Sequence, residues 1–349
     1  MTATKASGLY PVRIDDKWGY IDSTGSVRVE PRFDSAYGFF EGFGLVSMGS
    51  DFGYVDMSGA LVIQPQFGYA CDFSGGMAVV ANLDQGGNPG ASGYIDHSGS
   101  LVIPMQYEYA LQFSEGLAVV GAAGGGSSFI DKTGRTVLGS YDLAWGFSEG
   151  LAYVEEGSRR GFIDTNGDWV VELEAAVVDM SSFLSSVAPF PGSSTGFSEG
   201  LMALQSTSGT SHPAMGRADK GYIDKTGAWV IGPRFDHACN FSEGLAAVGV
   251  RENGLLRWGY IDKTGAWVIQ PQFEYTCHFS EGMAVVGFTE NDYMKFGYID
   301  RTGALVIPIR YWQAGDFSGG IAQVVEWSDA YSGHPTYIDK SGCVIWQGR

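Results

Sequence analysis

The sequence predicts an all-β protein built of tandem repeats, each with three to four short antiparallel strands. Three observations lead to this prediction. The phrase Gly-Tyr-Ile-Asp-Lys-Thr-Gly-Ala-Trp-Val-Ile at residues 259–269 recurs along the chain, and Phe-Ser-Glu-Gly-Met-Ala-Val-Val at 279–286 recurs in step with it. The composition, with 52 glycines, many aromatic residues and 17% charged residues, is typical of short strands joined by tight turns and unlike that of disordered segments.

The aspartate of the first phrase marks nine copies of the repeat. The dominant spacing is close to that of known propeller blades, in which each repeat is one supersecondary unit that stacks on its neighbours. The nine positions are Asp22, Asp56, Asp96, Asp131, Asp164, Asp224, Asp262, Asp300 and Asp339. One interval is longer because of an insertion at about 172–220, in which residues 175–187 are compatible with a short helix.

Each copy has the pattern of several strands. Residues 258–261 and 266–269 are rich in β-branched and aromatic residues, and the Asp-Lys-Thr-Gly between them predicts a hairpin turn. Residues 245–248 predict a further strand with small apolar side chains. A fourth, shorter strand is expected within 271–279, with its proline at the first residue or at a sheet edge.

The copies predict one repeat domain of about nine units over residues 8–346. Two arrangements are compatible with this pattern, a β-propeller-like ring and an open β-solenoid. In the ring, which we favour, residues 8–12 would complete the last unit, formed by residues 337–346.

The phrase Trp-Gly-Tyr-Ile-Asp-x-Thr-Gly followed by Phe-Ser-Glu-Gly-Leu-Ala-x-Val resembles the bacterial WG (KWG) repeat over almost the whole chain. The doublet itself stands at Trp18-Gly19 and Trp258-Gly259, whereas Phe replaces Trp at Phe52 and Phe296, and Ser128 replaces Gly. The resemblance implies a β-rich interaction module rather than an enzyme.

Most repeated polar residues are interpreted as structural. The nine aspartates are predicted to cap their hairpin turns rather than to form a metal-binding or acidic ring. The glutamate of Phe-Ser-Glu-Gly recurs in six copies, and it too is assigned to a turn. These glutamates are Glu41, Glu115, Glu149, Glu199, Glu243 and Glu281.

Three cysteines occupy one equivalent position, two residues before the phenylalanine of the second phrase. They are Cys71, Cys239 and Cys277, and because large apolar residues take this position in other copies, we interpret it as a packing position. A zinc site using Cys239 and Cys277 with His237 and His278 is the alternative, but Cys-x-x-Cys spacing is missing from the sequence. We therefore predict no metal, no cofactor and no catalytic residue.

Strand parity places the loop after each Leu-Ala-x-Val strand on one face of the repeats. These loops differ widely between copies, and repeat proteins often bind partners where such differences gather. The candidate binding residues are Asp84, Asn88, His212, Arg217, Arg251, Asn253, Asp292, Tyr293, Trp327 and Tyr331.

The net charge of −18 argues against binding to a nucleic-acid backbone and suits a basic partner. The sequence has no run of 18 apolar residues and no apolar N-terminal segment of a secretory signal, so we expect no membrane span and a cytoplasmic location.

These features predict a non-catalytic module that binds another protein through the variable loops, in one version as an inhibitor or immunity-type protein. Carbohydrate or cell-wall recognition by exposed aromatic residues is the alternative. A third hypothesis is an enzyme with its site in the 172–220 insertion, using residues such as Glu172 and His212.

Overall fold

Strands and turns make up the part of the chain that the structure describes. The computed structural model describes residues 8–84, 86–121, 124–173, 196–206, 220–326 and 335–348, and it contains no α-helix within these ranges. The predicted all-β class, with repeats of three to four short antiparallel strands, is confirmed.

We number the repeats 1 to 9 in chain order. Repeat 1 comprises β1 (Tyr10–Ile14), β2 (Lys17–Ile21) and β3 (Val27–Phe33). Repeat 2 comprises β4 (Ser35–Phe40), β5 (Phe43–Met48), β6 (Asp51–Asp56) and β7 (Leu61–Phe67). Repeat 3 comprises β8 (Tyr69–Ala70), β9 (Met77–Leu83), β10 (Pro89–Asp96) and β11 (Leu101–Tyr107). Repeat 4 comprises β12 (Tyr109–Ala110), β13 (Ala118–Gly121), β14 (Ser127–Ile130) and β15 (Thr136–Tyr141). Repeat 5 comprises β16 (Leu143–Ala144), β17 (Leu151–Glu156), β18 (Arg159–Asp164) and β19 (Trp169–Glu172). Repeat 6 comprises β20 (Leu201–Gln205), β21 (Lys220–Asp224) and β22 (Trp229–Phe235).

Repeat 7 comprises β23 (His237–Ala238), β24 (Ala246–Glu252), β25 (Leu255–Ile261) and β26 (Trp267–Phe273). Repeats 8 and 9 comprise β27 (Tyr275–Thr276), β28 (Met283–Glu290), β29 (Tyr293–Asp300), β30 (Leu305–Ala314), β31 (Ile321–Glu326), β32 (Pro335–Asp339) and β33 (Val344–Gln347). They share β30, whose last residues pair with β31.

Each complete repeat is an antiparallel meander. In repeats 2, 3 and 7 the four strands pair in chain order, so the short first strand is at one edge and the fourth strand is at the other. The second and third strands form a hairpin, as in repeat 7, where Val248 lies opposite Gly259 and Glu252 opposite Leu255. The turns before the second strand and after the third therefore lie at one end of the sheet, and the hairpin loop lies at the other.

The glycine of the Trp-Gly doublet is required by a bulge in the facing strand. A Cβ atom on Gly259 would lie 2.5 Å from the carbonyl oxygen of Ile269 and 2.8 Å from the nitrogen of Pro271. The register between β25 and β26 shifts at this point, because the bulge carries the fourth strand close over the glycine. The same close approach occurs at Gly19, Gly53, Gly93, Gly221 and Gly297.

In six repeats, a tyrosine joins the repeat to the next one, and phenylalanine takes its place at Phe129 and Phe162. Tyr260 is fully buried, and its ring lies 4.7 Å from that of Phe279 in repeat 8. Its hydroxyl donates to the carbonyl oxygen of Cys277 at 2.7 Å, which satisfies a polar group that burial would otherwise leave without a partner. Hydroxyl-to-carbonyl bonds into the following repeat also form at Tyr20, Tyr54, Tyr94, Tyr222 and Tyr298.

The described residues fall into two compact units, the first mainly residues up to 157 and the second mainly residues 169–344. Both consist of the same repeat. In the first unit, the core between repeats 2 and 3 contains Tyr54, Ile63 and Phe73, and in the second unit, the core between repeats 7 and 8 is built in the same way.

One local expectation differs from the structure. Residues 8–12 were expected to complete the last repeat, but β1 pairs with β2 in repeat 1, and repeat 9 has its own second strand, β31. Pro271 was expected to begin a strand or lie at an edge, and it lies in the edge strand β26, at the bulge, where the missing amide proton is tolerated. The helix considered at 175–187 lies outside the described residues.

Candidate functional site

The aspartate of Gly-Tyr-Ile-Asp closes the turn between the third and fourth strands, which we call the Asp turn. Oδ1 of Asp262 accepts hydrogen bonds from the Thr264 hydroxyl and amide at 2.6 and 2.9 Å, and from the Ala266 amide at 3.0 Å. Gly265 has a φ of 83°. Hydrogen bonds from Thr264, together with the Ala266 amide, hold the pKa of Asp262 below its usual range.

The same turn amides bond to the carboxylate in all nine repeats. The residues are Asp22, Asp56, Asp96, Asp131, Asp164, Asp224, Asp262, Asp300 and Asp339. Because the amides surround one oxygen of each carboxylate, the turn itself accounts for these residues.

The glutamate of Phe-Ser-Glu-Gly has a role that its turn position does not reveal. We call this turn, which precedes the second strand, the Glu turn. The two carboxylate oxygens of Glu281 accept from the amides of Gly319 and Gly320 in the next repeat at 2.5 and 2.9 Å, and Lys340 lies 3.2 Å away. Glu281 has a φ of 53°, a left-handed backbone conformation that is unfavourable for any residue with a Cβ atom. The side chain thus links adjacent repeats at the expense of backbone strain.

Equivalent links recur in both compact units. Glu41 accepts from the amides of Gly75 and Gly76, and Glu243 accepts from Gly282 at 3.0 Å. The basic side chain that completes the link varies: His97 lies beside Glu41, Lys263 beside Glu199 and Arg301 beside Glu243. The interpretation of these glutamates as residues of a single turn was therefore incomplete, and the end of the sheet that carries both turns is occupied by contacts between repeats.

The opposite end of the sheet carries the hairpin loops between the second and third strands. The described loops are mostly tight turns rather than irregular segments. Asn253 and Gly254 have φ values of 52° and 82°, and Asn291 and Asp292 have φ values of 53° and 66°, so both connections are two-residue turns of the kind that suits a twisted hairpin. The residues that differ between repeats at this end of the sheet therefore lie on tight hairpins.

Two hairpins in consecutive repeats are joined at their bases by a shared carboxylate. Glu274 accepts from the amide of Thr289 at 2.7 Å, and it pairs with the guanidinium of Arg257 at 3.2 Å. The hydrogen bonds from Thr289 and the charge of Arg257 hold the pKa of Glu274 below its usual range. We call residues 250–257 and 288–295 the paired hairpins.

The tips of the paired hairpins expose large apolar side chains. Leu255 is 59% exposed and Tyr293 is 39% exposed, and the Tyr293 ring lies 5.6 Å from that of Trp312. Exposed aromatic and aliphatic groups on a rigid support are typical anchors of protein interfaces. We take the paired hairpins as the candidate functional site.

Four of the predicted binding residues belong to this site. The Arg251 amide donates to Asp236 at 2.8 Å, Asn253 and Asp292 form the two turns, and Tyr293 presents its ring. Leu255 and Arg257 belong to the same surface, but they are not among the binding residues predicted from the sequence. Leu255 was detectable from the sequence, because an apolar residue follows Asn-Gly directly at the predicted hairpin tip.

Two further predicted residues lie in repeat 3, in the other compact unit. Asp84 accepts from the amides of Gly86 and Asn88 at 2.7 and 2.9 Å, so its carboxylate is used by its own loop. The hydrogen bonds from the backbone amides of Asn88 and Gly86 lower the pKa of Asp84. The remaining predicted residues, His212, Arg217, Trp327 and Tyr331, lie outside the described residues.

The three cysteines at the equivalent position, Cys71, Cys239 and Cys277, are partly buried. Cys239 packs against the core between repeats 7 and 8, and Cys277 packs against the core between repeats 8 and 9. Burial raises the pKa of the Cys277 thiol to about 12. No group of three or more potential metal ligands occurs within the described residues, and His278 lies 3.4 Å from Asp316. Glu172, named in the enzyme hypothesis, pairs with Arg159 at 3.1 Å.

A family model described as a WG containing repeat matches seven segments of the chain. The segments are residues 18–50, 52–82, 93–121, 128–159, 221–253, 258–287 and 296–326. The chain belongs to the WG-repeat family. The resemblance drawn from the doublets and the two phrases is thereby confirmed. No curated protein matches the sequence significantly.

The fold is similar to that of a solved propeller-type structure. That structure, described as the eukaryotic initiation factor, aligns with a TM-score of 0.62 at 12% identity, covering 98% of this chain and 96% of that chain. BamB from Moraxella catarrhalis aligns with a TM-score of 0.42 at 12% identity, covering 96% and 94%. The likeness to the first structure confirms the propeller-like class of the WG-repeat chain. In the described residues, no helix has the length and hydropathy needed to span a membrane.

Proposed function

We propose that this WG-repeat chain is a non-catalytic module that binds another protein through the paired hairpins. The observation that carries the proposal is the combination of exposed anchors with a fixed base. Leu255 and Tyr293 are exposed at the tips, whereas Glu274 holds both hairpins in one arrangement. Preorganisation of this kind reduces the entropy that is lost when a partner binds.

The charge around the anchors favours a basic partner. Arg257 and Lys295 are paired with the carboxylates of Glu274 and Glu290. Glu252 and Asp292 form no ion pair with any described residue. A basic surface on the partner would complement these two carboxylates. This is the basis for the narrower proposal of an inhibitor or immunity-type protein that covers a basic effector.

The test is a pull-down from lysate of the source organism, followed by a binding titration with the recovered protein. The double variant Leu255→Ser/Tyr293→Ser should weaken binding about a hundredfold or more, because truncated anchors commonly cost 2 kcal/mol or more. The matched control is Leu305→Ser, which changes a leucine that is 53% exposed on β30, outside the hairpins. An equal loss of binding affinity in the double variant and in the control would contradict the assignment of the binding surface to the paired hairpins.

Carbohydrate recognition is the second candidate, supported by the Tyr293–Trp312 aromatic pair, on which a sugar ring can stack. A glycan array separates the two functions. Retention of a glycan by the wild type and not by Tyr293→Ser, with no protein partner recovered, would favour the carbohydrate function. Turnover of a substrate by the purified protein would contradict both and favour an enzyme.

A further inference from the structure

An open groove of about 700 Å³ lies between repeats 1 and 2, and none of its lining residues belongs to the paired hairpins. One wall is the edge strand β3, with Arg28, Glu30 and Arg32. The other wall is the Asp turn of repeat 2 with Leu61, and Met48 also lines the groove. A space of this size is suited to a small ligand or a few residues of a peptide.

The two arginines on β3 are oriented by fixed partners. Nε of Arg28 donates to Oδ2 of Asp22 at 2.7 Å, and Nη2 of Arg32 donates to the carbonyl oxygen of Gly59 at 3.0 Å. The Arg32 guanidinium also lies 4.9 Å from the centre of the Phe33 ring. Each contact uses one part of a five-donor group, so both guanidiniums keep donors for a ligand in the groove.

Glu30 stands between the two arginines in the sequence and lines the same groove. It is exposed and forms no ion pair with a described residue, although a cation lies on each side of it along β3. The Arg28 guanidinium is already paired with the carboxylate of Asp22, and Glu30 offsets the charge of Arg32, so the groove has no excess of positive charge. A ligand carboxylate can accept hydrogen bonds from the guanidinium donors that remain, whereas a second carboxylate would be repelled by Glu30.

Repeats 6 and 7 show which of these residues are only structural. Arg234 occupies the position of Arg32 and donates in the same way to the carbonyl oxygen of Gly265. Val230 and Gly232 stand where repeat 1 has Arg28 and Glu30. The arginine-to-turn bond thus recurs in another repeat. Arg28 is an addition of repeat 1, whereas Glu172 stands at the position of Glu30 in repeat 5.

We propose that this groove binds an extended peptide segment that carries a single carboxylate next to an aliphatic side chain. Arg28 and Arg32 would hold the carboxylate by charge-assisted hydrogen bonds, and Leu61 and Met48 would contact the aliphatic group. Glu30 would accept an amide proton of the peptide and disfavour a run of acidic residues.

The test is an NMR titration that follows the arginine Nε–H signals, with acetyl-Leu-Glu-Leu amide as the probe. We expect saturable shifts at Arg28 and Arg32. Binding should be about tenfold weaker or more for acetyl-Leu-Gln-Leu amide, and also for the Arg28→Gln variant, because each loses charge-assisted hydrogen bonds. The variant Glu30→Gln should bind a probe with two adjacent glutamates more tightly than the wild type does.

Two variants control for the structural roles of the arginines. Arg234→Gln removes the repeat's arginine-to-turn bond elsewhere, and Arg135→Gln removes an arginine that pairs with the aspartate of another Asp turn at 3.2 Å. Both should bind the probe as the wild type does. Equal affinity for the glutamate and glutamine probes, or no saturable shift up to about 10 mM, would overturn the proposal. Equal shifts of the arginine Nε–H signals with sodium phosphate would show that the groove binds anions without recognising a peptide, and this result would overturn the proposal.

Discussion

The two ends of each repeat differ in what their polar residues contact. At the end with the Asp turn and the Glu turn, carboxylates bond to backbone amides, and Glu281 reaches from repeat 8 to Gly319 and Gly320 of repeat 9. At the hairpin end, Glu274 holds the base of a loop, but the tips at Leu255 and Tyr293 remain exposed. Contacts between repeats restrict residue choice at the first end and leave the tips of the second free to vary.

This comparison explains why the repeated phrases are poor candidates for a functional site. The Asp turn has the same hydrogen bonds in every repeat because its partners lie within four residues of the aspartate. The Glu turn repeats because the neighbouring repeat offers the same two amides. A binding surface needs exposed side chains, and the paired hairpins expose Leu255 and Tyr293.

The largest expected effect comes from filling the space that the fourth-strand bulge occupies. Gly259→Ala should destabilise the protein by about 3 kcal/mol, because the new Cβ atom would lie 2.5 Å from the carbonyl oxygen of Ile269. Urea unfolding measures the loss. The control, Gly232→Ala, adds a methyl group where no atom lies within 4 Å, and it should change stability by less than about 0.5 kcal/mol. Equal stability of the two variants would contradict the role of the doublet glycine.

A smaller effect is expected from weakening one link between repeats. Glu281→Gln should cost about 1 kcal/mol at pH 7, because it removes the charge that two amides and Lys340 contact at a partly exposed site. Urea unfolding again gives the loss. The control Glu252→Gln changes an exposed hairpin carboxylate without an ion pair among the described residues, and it should leave stability unchanged.

The same link predicts a pH dependence. Burial raises the pKa of Glu281, but the amides of Gly320 and Gly319 and the charge of Lys340 outweigh it, so the pKa lies below the ordinary 4.5. The link therefore contributes fully above the unfolded pKa and is lost as the pH falls through the lower folded value. The stability difference between wild type and Glu281→Gln should vanish at low pH. A difference that persists unchanged in acid would show that the charge of Glu281 is not responsible.

The smallest effect on stability is expected at the hairpin tips. Leu255→Ser should alter the free energy of unfolding by less than about 0.5 kcal/mol, since its side chain is already 59% exposed. Thermal and urea unfolding check this directly. A loss comparable to that of Gly259→Ala would mean that the tip is part of the core, and the contrast between the two ends would fail.

Local chemistry was predictable from the sequence, and contacts between repeats were not. The hydrogen bonds of Asp262 involve residues two and four positions away, so turn chemistry alone identifies them. The partners of Glu281 lie 38 and 39 residues away, and no local pattern indicates them. The bond between Arg257 and Glu274 also joins neighbouring repeats, which is why the paired hairpins were not recognised as one site.

The sequence by itself determined that this is an all-β WG-repeat chain with turns at regular positions, because periodicity and turn residues act over a few neighbouring residues. It also indicated which loops vary. Only the tertiary structure decided that Glu281 links two repeats, that the doublet glycine lies under a bulge, and that Arg28 and Arg32 share a groove with Glu30. These features depend on how one repeat packs against the next, and that packing depends on distances between residues that are far apart in the chain.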